Sequence, residues 1–269
     1  MNSNIQILNQ TTSKGNQIKY EYNNKYYKVD TLGYESIAEV LVSELEQCIK
    51  GLNFVDYYLE QVNINDKIHT ACVSNSFSKS DSYEVSVHRI LSDYIKEKKL
   101  GMGYLSKFKG KQLADEVIRI LNEVTDLETR DYIGRIVYLD AITLNCDRHL
   151  NNISFRLHLN GTYDFMPVYD NGASLLSDTT EFPMEERTVK LIDKVKAKPF
   201  STSFKKQVEY FRSSVEPLSI DIEKFNSGIA LVRNNLDYSV PFKQREFIRA
   251  LYVLNSRLKS LEGIAWQRL

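Results

Sequence analysis

Asp147-Arg148-His149-Leu150-Asn151-Asn152-Ile153, followed by Pro167-Val168-Tyr169-Asp170-Asn171-Gly172, is the stretch that decides how this chain is read. An Asp followed five residues later by an Asn lets one tight loop offer a carboxylate to an incoming hydroxyl and an amide oxygen to a metal ion. A second acid then arrives on a separate strand. A proton acceptor at Asp147, with a divalent cation held by Asn152 and Asp170, is the layout of a phosphotransfer site. Between the two acids, 153–159 and 162–169 read as strands joined at Asn160-Gly161, the pair favoured in two-residue type I′ hairpin turns. A hairpin returns the chain to its start, so Asp170 is expected beside Asn152. The competing reading makes both segments ordinary polar turns, because Asp and Asn are common in loops. The hairpin and the second Asp-x-Gly weigh against it.

Working outward, residues 17–22 and 25–29 read as strands around the turn signal Asn23-Asn24. A helix follows over 34–50, with Ile37, Val40, Leu41, Leu45 and Cys48 on one face, Glu39, Ser43 and Glu46 away from it, and Gly51 as its stop. Strands are expected over 55–62 and 67–73. From residue 80 the pattern turns helical, over 83–98, 110–122, 127–144, 205–212, 220–235 and 241–261. The fold class is therefore α+β, with a small antiparallel-sheet lobe over 1–78 and a mostly helical lobe over 79–269 that carries the loop and hairpin. The polar stretch 176–199, with Thr179, Thr180 and Thr188, reads as an exposed regulatory segment. Phe247, Leu251, Leu254, Leu258 and Leu261 form an apolar stripe better suited to core packing than to a partner.

The run 139–153 together with 167–176 resembles the HipA-like serine/threonine kinases, and within them the compact CtkA-type branch, whose cores read D-R-H-x-x-N and F-D-N-G. The resemblance extends to Tyr26-Tyr27-Lys28-Val29-Asp30 with Gly33, Tyr34, Glu35 and Glu39, which look like the family's nucleotide-lysine strand and the helix after it. Cys72-Val73-Ser74-Asn75-Ser76-Phe77 is similar to its hinge, and Lys198-Pro199-Phe200 to the segment after the activation region. It implies a two-lobed kinase fold, ATP and Mg²⁺ as cofactors, and transfer of a phosphoryl group to a protein hydroxyl. The catalytic set would be Asp147, His149, Asn152 and Asp170, with Asn152 and Asp170 holding the metal.

A cation at Lys28 can neutralise nucleotide phosphates if a helix acid fixes it, and Glu39 is preferred to Glu35 for that place. The bland reading is a solvated lysine and a surface glutamate. Backbone groups of Cys72 and Val73 are candidates for the adenine edge. Residues 11–16, with Ser13, Lys14 and Gly15, could fold backbone N–H groups over phosphates, although they lack G-x-G-x-x-G spacing. Family resemblance adds autophosphorylation there, most plausibly at Ser13. His149 could orient Asp147 or fill a polar slot. Arg148 could meet a phosphate, a local carboxylate or a surface acid.

Composition narrows the field. Thirty-five basic and 35 acidic residues in 269 cancel, which disfavours binding nucleic acid through phosphate neutralisation. No apolar run is long enough to span a bilayer, and Met1-Asn2-Ser3-Asn4 lacks a signal-peptide pattern, so the cytoplasm is the expected location. Cys48, Cys72 and Cys146 are too widely spaced for a zinc site or a disulfide framework. Two other readings compete with the protein kinase: a phosphatidylinositol-kinase-like lipid kinase, which also uses D-R-H-x-x-N, and a toxin-like or pseudokinase module bound by an antitoxin-like partner.

Overall fold

The computed structural model describes residues 6–7, 19–64, 67–77, 81–101, 103–235 and 241–269. Its first sheet is antiparallel and runs β1 (Gln6–Ile7), β2 (Lys19–Tyr22), β3 (Lys25–Val29), then β5 (Lys67–Asn75) and β4 (Tyr58–Ile64) at the far edge. Asn23 and Asn24 both take positive φ, 49° and 59°, as a type I′ turn requires, and they set the register Tyr22 opposite Lys25. Val55, expected to open a strand over 55–62, lies outside the sheet, and residues 53–55 instead pair with Val168, so the segment leading to Asp170 lies beside this part of the chain.

Helix α1 (Glu35–Glu46) is shorter than its apolar pattern suggested. Beyond it Ile49 bridges to Ile220, and this pairing takes residues 47–50 out of the helix before Gly51 turns the chain at φ 72°. Glu39, Ser43 and Glu46, expected to lie away from the packed face, are fully buried. The sheet covers one side of α1, while α7 (Ile222–Asn235) and α8 (Pro241–Leu261) cover another. The three polar side chains form a buried stripe of their own, at the i, i+4, i+7 spacing of one helix face.

The stretch 83–98 is not one helix. Ser82–Ser86 is a strand, β6, paired with β7 (Ser154–His158) in the register Val85 opposite Phe155. The Ser86 hydroxyl then accepts from Arg89 N–H at 3.2 Å and caps α2 (Val87–Glu97). β8 (Tyr163–Phe165) completes this three-stranded sheet. The β7–β8 connection is a three-residue loop rather than the two-residue type I′ turn expected. Gly161 alone has positive φ, at 86°, its N–H reaches His158 O, and His158 pairs with Thr162 across Leu159, Asn160 and Gly161. The Asn160 side chain accepts from both Thr162 N and Oγ1, an Asx turn that favours this geometry.

A short 3-10 helix (Leu105–Lys107) and helices α3 (Lys111–Thr125), α4 (Arg130–Thr143), α5 (Thr188–Ile192) and α6 (Phe204–Phe211), with β9 (Leu218–Ile220) paired in parallel to β10 (Trp266–Arg268), complete the described elements. The main core runs from α1 through α2, α3, α4, α6, α7 and α8, and takes in Phe247, Leu254, Leu258 and Leu261 of the C-terminal stripe. A small separate cluster of Tyr20, Val29, Ala71 and Val73 lies within the first sheet.

Candidate active site

The site is built from β3, the buried stripe of α1, the loop after α4, and the turn after β8. Lys28, near the end of β3, is 5% exposed. Its ammonium lies 3.0 Å from Asp170 Oδ1 and 3.4 Å from Glu39 Oε1, over the Tyr57 ring at 5.0 Å. Burial pulls the Lys28 pKa down, but Asp170 and Glu39 outweigh it and hold the group well above its ordinary 10.5, so it stays charged. Glu39 is therefore the helix acid beside Lys28. Glu35 is engaged elsewhere, accepting from the backbone N–H groups of Thr31, Leu32 and Gly33.

Asp170 has φ +62°, a left-handed conformation that Asp tolerates better than most residues. Burial pushes its pKa up, yet Lys28, Lys19 and Arg148 hold the carboxyl well below the usual range. Lys19, in register with Lys28 on the neighbouring strand, approaches the same Oδ1 at 4.0 Å. The next residue, Asn171, fixes this turn. Its N–H donates to Glu39 Oε1 at 2.9 Å, its side-chain amide donates to Glu46 Oε1 at 3.2 Å, and its Oδ1 accepts from Arg148.

Arg148 is 1% exposed, which removes both the surface-ion-pair and phosphate readings of it. Its Nε spans both oxygens of Asp140 on α4, at 3.2 and 3.1 Å, and its Nη1 donates to the carbonyls of Asn152 and Tyr169 at 3.0 and 2.8 Å. One guanidinium thus ties the 147–152 loop to the turn that carries Asp170. Burial raises Asp140 to about 6 against the pull of Arg148.

Within the loop, Asp147 N–H donates to Asn145 Oδ1 at 3.1 Å, and Asn152 donates its amide to Asp147 O at 3.1 Å. Among the described residues no hydrogen bond engages Asn152 Oδ1. With Lys28 occupying Asp170 Oδ1, the remaining oxygens of Asn152 and Asp170 are hard donors suited to Mg²⁺, which binds through one or two protein ligands plus phosphate and water. No cluster of three or more His, Cys, Asp or Glu side chains that could hold a metal occurs among the described residues.

Two expected placements change. Cys72 and Val73 lie mid-strand in β5, paired to β3 on one side and β4 on the other, so their backbone groups belong to the sheet and not to an exit loop. The chain leaves the sheet at Asn75–Phe77, where the Phe77 ring lies 5.7 Å from both Tyr26 and Tyr169. The His149 ring is not hydrogen-bonded to the Asp147 carboxylate, although the residue's backbone N–H donates to Asp147 O at 2.8 Å. Its Nε2 lies 3.7 Å from Asp147 Oδ2, and both ring nitrogens are buried without a hydrogen-bond partner. Lys198 takes that position instead, with Nζ donating to Asp147 Oδ1 at 2.7 Å. Cys146, next to Asp147, is an inert thiol, pushed up to about 12 by burial. Ser13, Lys14 and Gly15 lie outside the described residues.

Lys19, Glu46, Asp140 and Lys198 were not singled out from the sequence as parts of this site. Glu46 was within reach, because it stands seven residues after Glu39 on the same helix face. Lys198 lies in the Lys198-Pro199-Phe200 segment that resembles the family's, but nothing in that stretch names Asp147 as its partner.

Comparison with protein-family models gives no match, and comparison with curated proteins gives none either. Solved structures do match. The Helicobacter pylori proinflammatory kinase CtkA aligns over 97% of this chain and 94% of its own with a TM-score of 0.61 at 17% identity. HipA of Shewanella oneidensis MR-1, solved with HipB and operator DNA, aligns over 93% of this chain and 65% of its own, with a TM-score of 0.50 at 12% identity. The fold is that of a kinase. More narrowly, it is the fold shared by CtkA and HipA.

Proposed function

We propose that this chain is an ATP-dependent protein kinase of the HipA/CtkA kind, moving the γ-phosphoryl group of ATP to a serine or threonine hydroxyl. The observation that carries this reading is the joining of Lys28, Glu39 and the partly exposed Asp170 in one ion cluster that Arg148 ties to the loop bearing Asp147 and Asn152. A cleft between lobes of 1–78 and 79–269 would take the nucleotide, with the Phe77, Tyr26 and Tyr169 rings offering an apolar wall for the base.

Lys28 would neutralise the nucleotide phosphates, kept in place by Glu39. Asp147 would orient the acceptor hydroxyl and take its proton. Asn152 Oδ1 and Asp170 would hold Mg²⁺, which when bound supplies charge neutralisation at the phosphate oxygens. Positioning and fixed charge account for the catalysis, since phosphoryl transfer asks little covalent chemistry of the protein. Autophosphorylation at Ser13 and an antitoxin-like protein partner are further parts of the proposal. The HipA structure with HipB supports the second. No helix among the described residues is long and apolar enough to cross a membrane, and we place the protein in the cytoplasm.

The test is intact-mass analysis after incubation with Mg²⁺ and ATP, with ATP hydrolysis followed in parallel, on wild type, Asp147→Ala and Asp170→Ala. Phosphate gain or ATP turnover confined to wild type supports the reading. Wild-type protein that neither turns over nor binds ATP removes it.

A further inference from the structure

We infer that Lys198 is a further catalytic residue of this site, its ammonium group held at Asp147 so as to meet the phosphoryl group in transit. The inference rests on the kinase reading above.

An exposed lysine 2.7 Å from a carboxylate is common and usually worth little. What distinguishes this pair is the machinery behind it. Gln207 on α6 is 1% exposed, and both ends of its amide are committed to the backbone around Pro199. Its Nε2 donates to Lys198 O at 3.0 Å, and its Oε1 accepts from Phe200 N–H at 2.9 Å. Ala197 N–H is bonded to Thr202 O at 3.0 Å, and the buried Phe200 ring packs against Phe211 at 6.0 Å. The backbone on both sides of Lys198 is thus anchored in the core while its side chain remains 43% exposed and reaches Asp147. A surface ion pair needs no such support. A charge that must stand at one point during a reaction does.

The distribution of charge agrees. Lys28 and Lys19 attend Asp170, on the metal side of the site. On the hydroxyl side the His149 ring makes no hydrogen bond, and Lys198 is the one cation hydrogen-bonded to Asp147 among the described residues. In the transfer step the acceptor oxygen bonds to the γ-phosphorus as the bond from that phosphorus to the β,γ-bridging oxygen breaks. The electron pair of that bond leaves with ADP, and the hydroxyl proton passes to Asp147. Lys198 keeps its protons and neutralises charge on the phosphoryl oxygens, the role that positioned cations play in such transition states.

The test compares wild type, Lys198→Met and Lys198→Arg as full chains, with kcat and KM for ATP measured from phosphotransfer or ATP turnover and folding checked by thermal melting. Lys198→Met is expected to melt like wild type and to lose about 10²–10³-fold in kcat with little change in KM, as for loss of one preorganised transition-state group. Lys198→Arg is expected to recover part of the rate because it keeps the charge. Equal kcat in wild type and Lys198→Met would mean a plain surface pair, and a faster Lys198→Met would mean an inhibitory plug on Asp147. Either result overturns the inference while leaving the kinase reading intact. Wild type without any turnover or nucleotide binding overturns both.

Discussion

Arg148 shows how one side chain can organise a site without touching its chemistry. It is fully buried, paired with Asp140, and donates to the backbone on both sides of the proposed metal site. A buried ion pair adds little net stability, but removing one partner leaves an uncompensated charge. Arg148→Met is therefore expected to lower stability by about 3–5 kcal/mol, read as a fall in the urea midpoint. Asp147 behaves differently because its side chain is partly exposed and supports no part of the core. Asp147→Asn is expected to keep the wild-type melting temperature and lose about 10²–10⁴-fold in phosphotransfer rate, the usual contribution of a positioned general base. A loss of stability in Asp147→Asn as large as that in Arg148→Met would contradict the assignment of roles.

Helix α1 acts as a ruler along which the site is set. Glu39 meets Lys28 and Asn171 N–H, and Glu46, two turns on, receives the Asn171 amide. Burial first, then the charge of Glu39, pushes the Glu46 carboxyl well above its ordinary 4.5, with Asp140 adding to this and Arg148 and Asn171 opposing it. The folded state then holds the proton more tightly than the unfolded chain. The stability from Glu46 is complete below pH 4.5 and is lost as pH rises through the folded value. Glu46→Gln cannot titrate, so its stability relative to wild type is expected to rise as the pH is raised above 4.5 in urea unfolding. A constant difference across that range would show that Glu46 is ionised in the folded protein. The N-terminal end of α1 is fixed by the 177–179 segment, where Gly33 bridges Asp178 and Thr179 Oγ1 donates to Leu32 O. A Cβ at Gly33 would stand 2.1 Å from Ser177 O, a backbone atom. Gly33→Ala should cost about 1–3 kcal/mol and free the segment, seen as faster proteolysis near 177–179.

At the scale of the whole molecule, α1 packs against the first sheet, including the strand that carries Lys28, and also against α7 and α8, so it ties that sheet to the main core. Mg²⁺ and ATP binding across these elements should raise the melting temperature. At a ligand concentration about 100 times Kd the gain is about 2.7 kcal/mol, or on the order of 5–10 °C for a chain of this size. Asp170→Ala should remove most of the Mg²⁺-dependent part of that shift, and an undiminished shift would place the metal elsewhere.

The sequence by itself determined the elements whose signals are local. The apolar periods gave the helices other than α5, the 25–29 strand and the 241–261 helix came out at their observed limits, and the spacing of Asp147, Asn152 and Asp170 marked the loop and turn that the fold brings together. Tertiary structure decided everything that depends on what a residue meets far along the chain. The pairing of β6 with β7 took Tyr83 and Val85 out of a helix, and the pairing of Cys72 and Val73 on both sides moved the exit from the sheet to Asn75–Phe77. Arg148 became a core residue, and Lys198 displaced His149 at Asp147. Charged side chains carry no periodicity that names their partners. Burial and distance, which arise only when separate segments pack, choose those partners by deciding which charges can be compensated.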